Sequence, residues 1–450
     1  RCRPAKGARP ARCQGERGRG ARISRTANLH PRARRCRLDR KAKKRRASVP
    51  ASASRIQVGS GEGRLLLLLS ALVAFGPLSI DMYLPSLPAI AADLGASDAQ
   101  VQRSISGFLV GFCFGMLFYG PLSDRFGRRP VLLAGIALYL FSSLACVLAD
   151  SAGQLVLLRV LQALGGGAAS VLARAMVRDL YPLGEAARML ALMHMVTMLA
   201  PLAAPLLGGY LMLWAGWRAL FVVLALFAGL CLLAVWRVAE SHPPERRGGS
   251  LAQAFLAYGR LLGDRRALGY VLCMGLAFAG MFAYISAAPF VFIEHFGVRA
   301  ERFGWFFGLN ILGVMLATWC SARLVRRHGP RPLLRAGSLL ACVSGLFLLG
   351  YAALGERGGL WALVPGLLCF VSVTGLLGAN CIASLLALYP GQAGAASAVA
   401  VSGQFGLGCL ASLAVGWLAL PGVLPMALVM AVCGVGSLLA LGLALHGGNR

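Results

Sequence analysis

"GPLSDRFGRRP", Gly120 to Pro130, packs one acid and three arginines into eleven residues between two long apolar runs. The runs on either side give those charges their meaning. The chain of 450 residues is 58% hydrophobic and only 14% charged, with a mean hydropathy of +0.70, too apolar for an ordinary soluble domain. A helix needs about 20 mostly apolar residues to cross the hydrocarbon core, and stretches such as "LLLLLSALVAFGPLSI" and "LFVVLALFAGLCLLAVW" are of that kind. Twelve spans are expected, at about 65–87, 101–121, 130–149, 153–175, 188–213, 217–237, 268–293, 303–322, 332–352, 359–386, 394–419 and 423–446. The fold class is an all-α membrane protein of twelve transmembrane helices.

Basic residues orient such a chain, because loops left on the cytoplasmic side carry the excess of Lys and Arg. Seventeen arginines follow spans 2, 4, 6 and 8, against five on the opposite side, so both termini are expected in the cytoplasm. The charged loop lies on that face. The longest interruption, 238–267, holds "ESHPPERRGGS" and reads as a cytoplasmic linker between a six-helix half at 65–237 and a second at 268–446. An internal repeat supports two halves: "GRRPVLLAG" from Gly127 recurs as "GPRPLLRAG" from Gly329, each opening the third span of its half. Arg326 stands where Asp124 does in the first copy, so the acid is not repeated.

Of the net charge of +29, residues 1–64 carry +18, and every lysine lies there. With neither apolar periodicity nor aromatic interleaving, this basic extension reads as disordered or as sequence upstream of the true start, with Val58 a candidate start. The remaining readings are an arm for nucleic acid or for anionic lipid; no nucleic-acid partner is expected. The other ten cysteines are scattered singly through apolar segments, in neither a disulfide nor a zinc pattern, so no metal or cofactor is expected. No lysine follows Lys44 to serve a Walker loop, and neither His-Glu-x-x-His nor Gly-x-Ser-x-Gly occurs. An enzyme is not expected.

Two charges sit inside spans. An intramembrane ionisable group marks function by default, and Asp81 can take up and release a proton as access alternates between the two sides; the rival reading is a residue near the end of span 1 that meets water. Arg159 lies early in span 4, where its stem can snorkel to the interface, and Gln162 shares its helix face. Pro201 and Pro205 each remove a helix hydrogen bond while Gly208 and Gly209 allow close packing, so span 5 can bend against a partner from the other half. His194 in the same span reads as an interior, hydrogen-bonded residue.

The opening stretch matches, position for position, the Gly-x-x-x-Asp-Arg-x-Gly-Arg-Arg loop of the major facilitator superfamily: Gly120, Asp124, Arg125, Gly127, Arg128 and Arg129. "LSIDMYLPSLPAI" resembles the first-span motif of its proton-coupled drug antiporters. "RVLQALGGGAAS" resembles the fourth-span motif, with Ala163 for a Gly, and "APLAAPLLGG" resembles the span-5 antiporter motif, with Ala204 for a Gly. With "AFAGMFAYISAAPFVFIE" in span 7, the chain resembles the bicyclomycin-resistance (Bcr/CflA) subfamily over about residues 65–446. The resemblance implies a bacterial inner-membrane carrier of the twelve-span class, a monomer that exports small amphipathic drugs of the bicyclomycin, chloramphenicol and sulfonamide kind in exchange for protons. It implies proton coupling through Asp81, Arg159 and Gln162, a gate at the charged loop with Gly120 letting helices approach, and an antiport role for Pro201, Pro205, Gly208 and Gly209. Tyr83, Met281, Phe282, Tyr284, Asn310 and Asn380 are the candidate pocket residues. The alternative is a proton-coupled transporter of an amino acid or other metabolite on the same fold.

Overall fold

The computed structural model describes residues 62–446, apart from 249, 419 and 421. The basic extension, Val58 included, lies outside them except for its last three residues. Every regular element among the described residues is helical. Spans 2 to 6 run Asp98–Phe126, Arg128–Val147, Ala152–Leu180, Leu183–Ala215 and Arg218–Trp236. Spans 7 to 12 run Arg265–Pro289, Ala300–His328, Pro330–Ala353, Gly359–Leu388, Ala393–Leu418 and Leu424–His446.

Span 1 is broken into Glu62–Val73, Phe75–Asp81, a 3₁₀ turn Leu84–Ser86 and Leu87–Asp93, with a 45° bend at Ala74. Three prolines account for the breaks. Having no N–H, Pro77, Pro85 and Pro88 leave the carbonyls of Val73, Asp81 and Leu84 without their i+4 donors. The second segment therefore stops at Asp81.

Elsewhere small residues set the packing. A Cβ on Gly165 would lie 2.5 Å from the Gly135 carbonyl, and one on Gly167 would lie 3.0 Å from the Gly115 Cα, so spans 2, 3 and 4 meet backbone to backbone. Span 2 packs against span 11, and span 5 against span 8, which joins the halves. Among the described residues, side-chain bonds across the seam run from the face opposite the arginines to mid-span: Gln102 to Ser286 at 3.1 Å, Ser106 to Ser412 at 2.9 Å, and last the Cys113 thiol to the Ser402 carbonyl. The bundle is sealed on the face opposite the arginines.

The stretch 238–267 is more than a linker. It contains the helix Leu251–Gly263, whose Phe255 packs on Phe118 and whose Tyr258 hydroxyl donates to the Leu117 carbonyl at 3.2 Å. Burial first, and the nearby Asp124 carboxylate second, push the Tyr258 phenol above its usual value. The segment is thus tied to span 2 of the first half.

Candidate functional site

The break in span 1 leaves Asp81 buried at a helix end, the residue 5% exposed, and without a side-chain hydrogen bond or ion pair among the described residues. Tyr284 of span 7, from the other half, lies near enough to feel its charge. Asn310 of span 8 donates to the Tyr284 hydroxyl at 3.1 Å, while its own Oδ1 is buried without a partner. One acid from the first half and an acceptor-rich pair from the second thus converge in apolar surroundings. Buried polar groups are normally bonded; the open Asn310 Oδ1 and the unbonded Asp81 carboxyl are acceptors left for a ligand donor.

Arg159 does not snorkel. It is fully buried, donates to Gln162 Oε1 at 2.6 Å and to the Ser79 carbonyl of span 1 at 2.9 Å, and lies over the rings of Phe108 at 4.3 Å and Tyr83 at 4.6 Å. Gln162 passes the chain on to Ser143 at 2.7 Å, and Ser79 bonds Tyr139 at 2.6 Å. Arg159 forms no ion pair among the described residues: it meets the backbone two residues before Asp81, not the carboxyl itself.

In the charged loop, Arg128 joins Asp124 at 2.6 Å and Asp179, at the end of span 4, at 3.0 Å. Glu240, from beyond span 6, accepts from the backbone N–H groups of Arg128 and Arg129 at 3.0 and 3.2 Å. These are open donors in the first turn of span 3, at the positive end of its dipole. Arg247 pairs with the same Glu240 at 3.7 Å. Arg129 donates to the Trp236 carbonyl, and Arg125 lies over the Phe126 ring. Asp179 and Glu240 were not found from sequence: each is a lone acid, remote in the chain from the loop it completes, with no spacing to mark it.

The two motif glycines differ. Nothing lies within 4 Å of a Cβ built on Gly120, so the expected close approach of helices there is not found. Gly127 instead has φ +98 and ψ 154, a conformation essentially reserved for glycine that costs other residues roughly 1–3 kcal/mol. Its added Cβ would also lie 2.6 Å from Glu240 Oε2. Gly127→Ala is therefore expected to displace Glu240 and destabilise the protein by about 2 kcal/mol, read as a lower melting temperature in detergent; unchanged melting would show that the loop relaxes freely.

Span 5 stays helical through Pro201 and Pro205. A Cβ on Gly208 would run into the Met82 carbonyl next to Asp81, and one on Gly209 would lie 3.2 Å from the Ala300 carbonyl of span 8 in the other half. Gly208→Val is expected to push span 5 off span 1 and lower both melting temperature and transport, whereas Gly184→Val, in open space, changes neither. His194, expected inside, is exposed and shares a 3.4 Å contact with Thr197.

Of the pocket candidates, Tyr284 and Asn310 are brought to Asp81. Phe282 packs on Phe405 of span 11, which packs on Phe112 of span 2; Met281 contacts Thr374 of span 10. Tyr83 bonds Ser104 at 2.8 Å beneath Arg159, and Asn380 is held by Ser321 and the Leu376 carbonyl, each at 2.7 Å. The last two serve their own halves.

Residues 67–413 match the Major Facilitator Superfamily. The chain is 34% identical over 330 residues to a bicyclomycin resistance protein homolog of Haemophilus influenzae, covering 72% of this chain and 82% of that one. It is 32% identical to a chloramphenicol resistance protein of Pseudomonas aeruginosa, covering 68% and 74%. Among solved structures it resembles the xylose transporter XylE from E. coli in an inward-open conformation, with 19% identity, a TM-score of 0.64, and 86% and 96% of the two chains covered.

Proposed function

The chain belongs to the major facilitator superfamily, and we propose on that basis that it exports small amphipathic drugs across the bacterial inner membrane in exchange for protons. The relatives named for bicyclomycin and chloramphenicol resistance support the cargo class. The observation that carries the coupling is Asp81, a carboxyl with no bonding partner at a helix break, facing the other half. The arginine-rich face is the cytoplasmic one, both termini lie there, and the sealed face is the outer one. In this state drug enters from the cytoplasm, with Asp81, Tyr284 and Asn310 offering acceptors to its donor groups. A proton arriving from outside neutralises Asp81 and competes with drug for it. Arg159 and Gln162 hold the span-1 backbone so that the carboxyl keeps its place, and the Asp124, Arg128 and Asp179 cluster keeps the inner ends of spans 2, 3 and 4 together while the halves rock. The carrier works as a monomer.

The test is drug-dependent proton movement in liposomes of purified protein, with bicyclomycin, chloramphenicol and a sulfonamide. Proton movement with at least one of them supports the reading; silence with all of them returns it to a metabolite transporter of the same fold.

A further inference from the structure

The helix Leu251–Gly263, on the arginine-rich face, takes no part in the cycle above, and its three sides differ. Ala254, Tyr258 and Leu261, spaced four and three apart, share one side, on which Tyr258 and Leu261 are buried against the bundle. A proline explains how that side is held. Pro121 has no N–H, so the Leu117 carbonyl of span 2 lacks its helical donor, and the Tyr258 hydroxyl supplies one at 3.2 Å. The same helix packs against spans 7 and 11 of the second half.

The second side is apolar and uncovered. Phe255 and Leu262, two turns apart, are 38% and 45% exposed, and Leu256 is 60% exposed. This strip continues the flank of span 2: Phe255 packs on Phe118 at 5.1 Å between ring centres and Phe118 on Phe114 at 6.4 Å, both exposed. Phe112 points across the seam to Phe405, so Phe114, about 200° further round the helix, points out of the bundle. Gln253 and Arg260, again two turns apart, form the third side, also exposed. Arg260, and Arg265 just beyond the helix, make no hydrogen bond or ion pair among the described residues. The helix itself holds no acid, and the next one in the chain, Asp264, is taken by the Tyr389 hydroxyl and the Arg266 N–H. One side to the bundle, one to hydrocarbon and one basic side to water is the arrangement of a helix lying in the membrane interface.

We propose that Leu251–Gly263 is a binding surface for anionic phospholipid of the inner leaflet: acyl chains cover Phe255, Leu256 and Leu262, and headgroup phosphates take the open donors of Arg260 and Arg265. A guanidinium suits a phosphate because two parallel N–H groups meet two oxygens, and each basic residue beside an anionic surface favours it about fivefold. Lipid bound there bears on both halves, because the opposite side of the helix holds span 2 at its proline and rests on spans 7 and 11. The surface depends neither on the cargo nor on proton coupling.

The test uses the full chain, with accessible native cysteines replaced by serine and a fluorescent bimane label on Leu256→Cys, in phosphatidylcholine vesicles with a minor share of phosphatidylglycerol. Bromine, which quenches the label on contact, is carried either by the phosphatidylglycerol or by an equal amount of the phosphatidylcholine. Both lipids quench, and brominated phosphatidylglycerol is preferred by at least about fivefold. Arg260→Gln combined with Arg265→Gln removes the preference and keeps the quenching by phosphatidylcholine; neither arginine makes a bond that folding would lose. A label on Leu443→Cys, exposed near the inner end of span 12, which has no Lys or Arg, shows no preference. Four results would each overturn the proposal: a label reached by aqueous iodide and not by bromine, as for a helix in water; one shielded from both, as under a second copy of the chain; equal quenching by the two lipids in the parent, or the same preference at Leu443; and a preference that survives loss of both arginines.

Discussion

Asp81→Asn is expected to abolish coupling while leaving the fold intact. A proton moved across 100 mV is worth about 2.3 kcal/mol, enough to hold a drug gradient of roughly fifty-fold; without a titrating carboxyl that ratio falls to one. Because Asp81 makes no hydrogen bond or ion pair that the amide would lose, melting temperature should hold or rise, which separates a functional loss from a structural one. The measurement is drug accumulation in inside-out vesicles energised by a pH gradient, beside a thermal melt of the same preparation. Gradient-driven accumulation that survives the substitution would refute the assignment of Asp81.

Arg159→Lys is expected to fail in the opposite way, through structure. The charge is kept, but an ammonium cannot reproduce a planar guanidinium that bonds Gln162 and Ser79 while lying over Phe108 and Tyr83. Losing one charged hydrogen bond costs about 1.5–3 kcal/mol, and a desolvated cation–π contact is worth about 2 kcal/mol. A loss of about 3 kcal/mol is therefore expected, with lower melting and weak transport together. If the lysine variant melts and transports like the parent, Arg159 is not the strut of span 1. Since Arg159 forms no ion pair with Asp81, Asp81→Asn should not ease the defect; a double variant more stable than Arg159→Lys alone would reveal a coupling that the geometry does not contain.

The spans were legible because hydrocarbon imposes length and apolarity on every crossing segment, and the charged loop because six residues hold fixed spacing within eleven. The break in span 1 was encoded in Pro77, Pro85 and Pro88, yet the uninterrupted apolar run read as one helix from 65 to 87. The helix Leu251–Gly263 was overlooked because a short amphipathic segment beside Pro, Gly and Arg reads as linker.

Sequence alone determined the all-helical membrane class, the two related halves, and that Asp81 and Arg159 are unusual, since each of these follows from what one segment must do in lipid. Tertiary structure alone decided which groups meet: Arg159 with the Ser79 carbonyl in place of Asp81, Glu240 with the first turn of span 3, and Tyr284, bonded to Asn310, near Asp81. Periodicity gives the face of a helix but not the helix it faces. Those partners come from spans far apart in the chain, brought together by small residues that let backbones approach, and a contact between distant spans leaves no local pattern in one sequence.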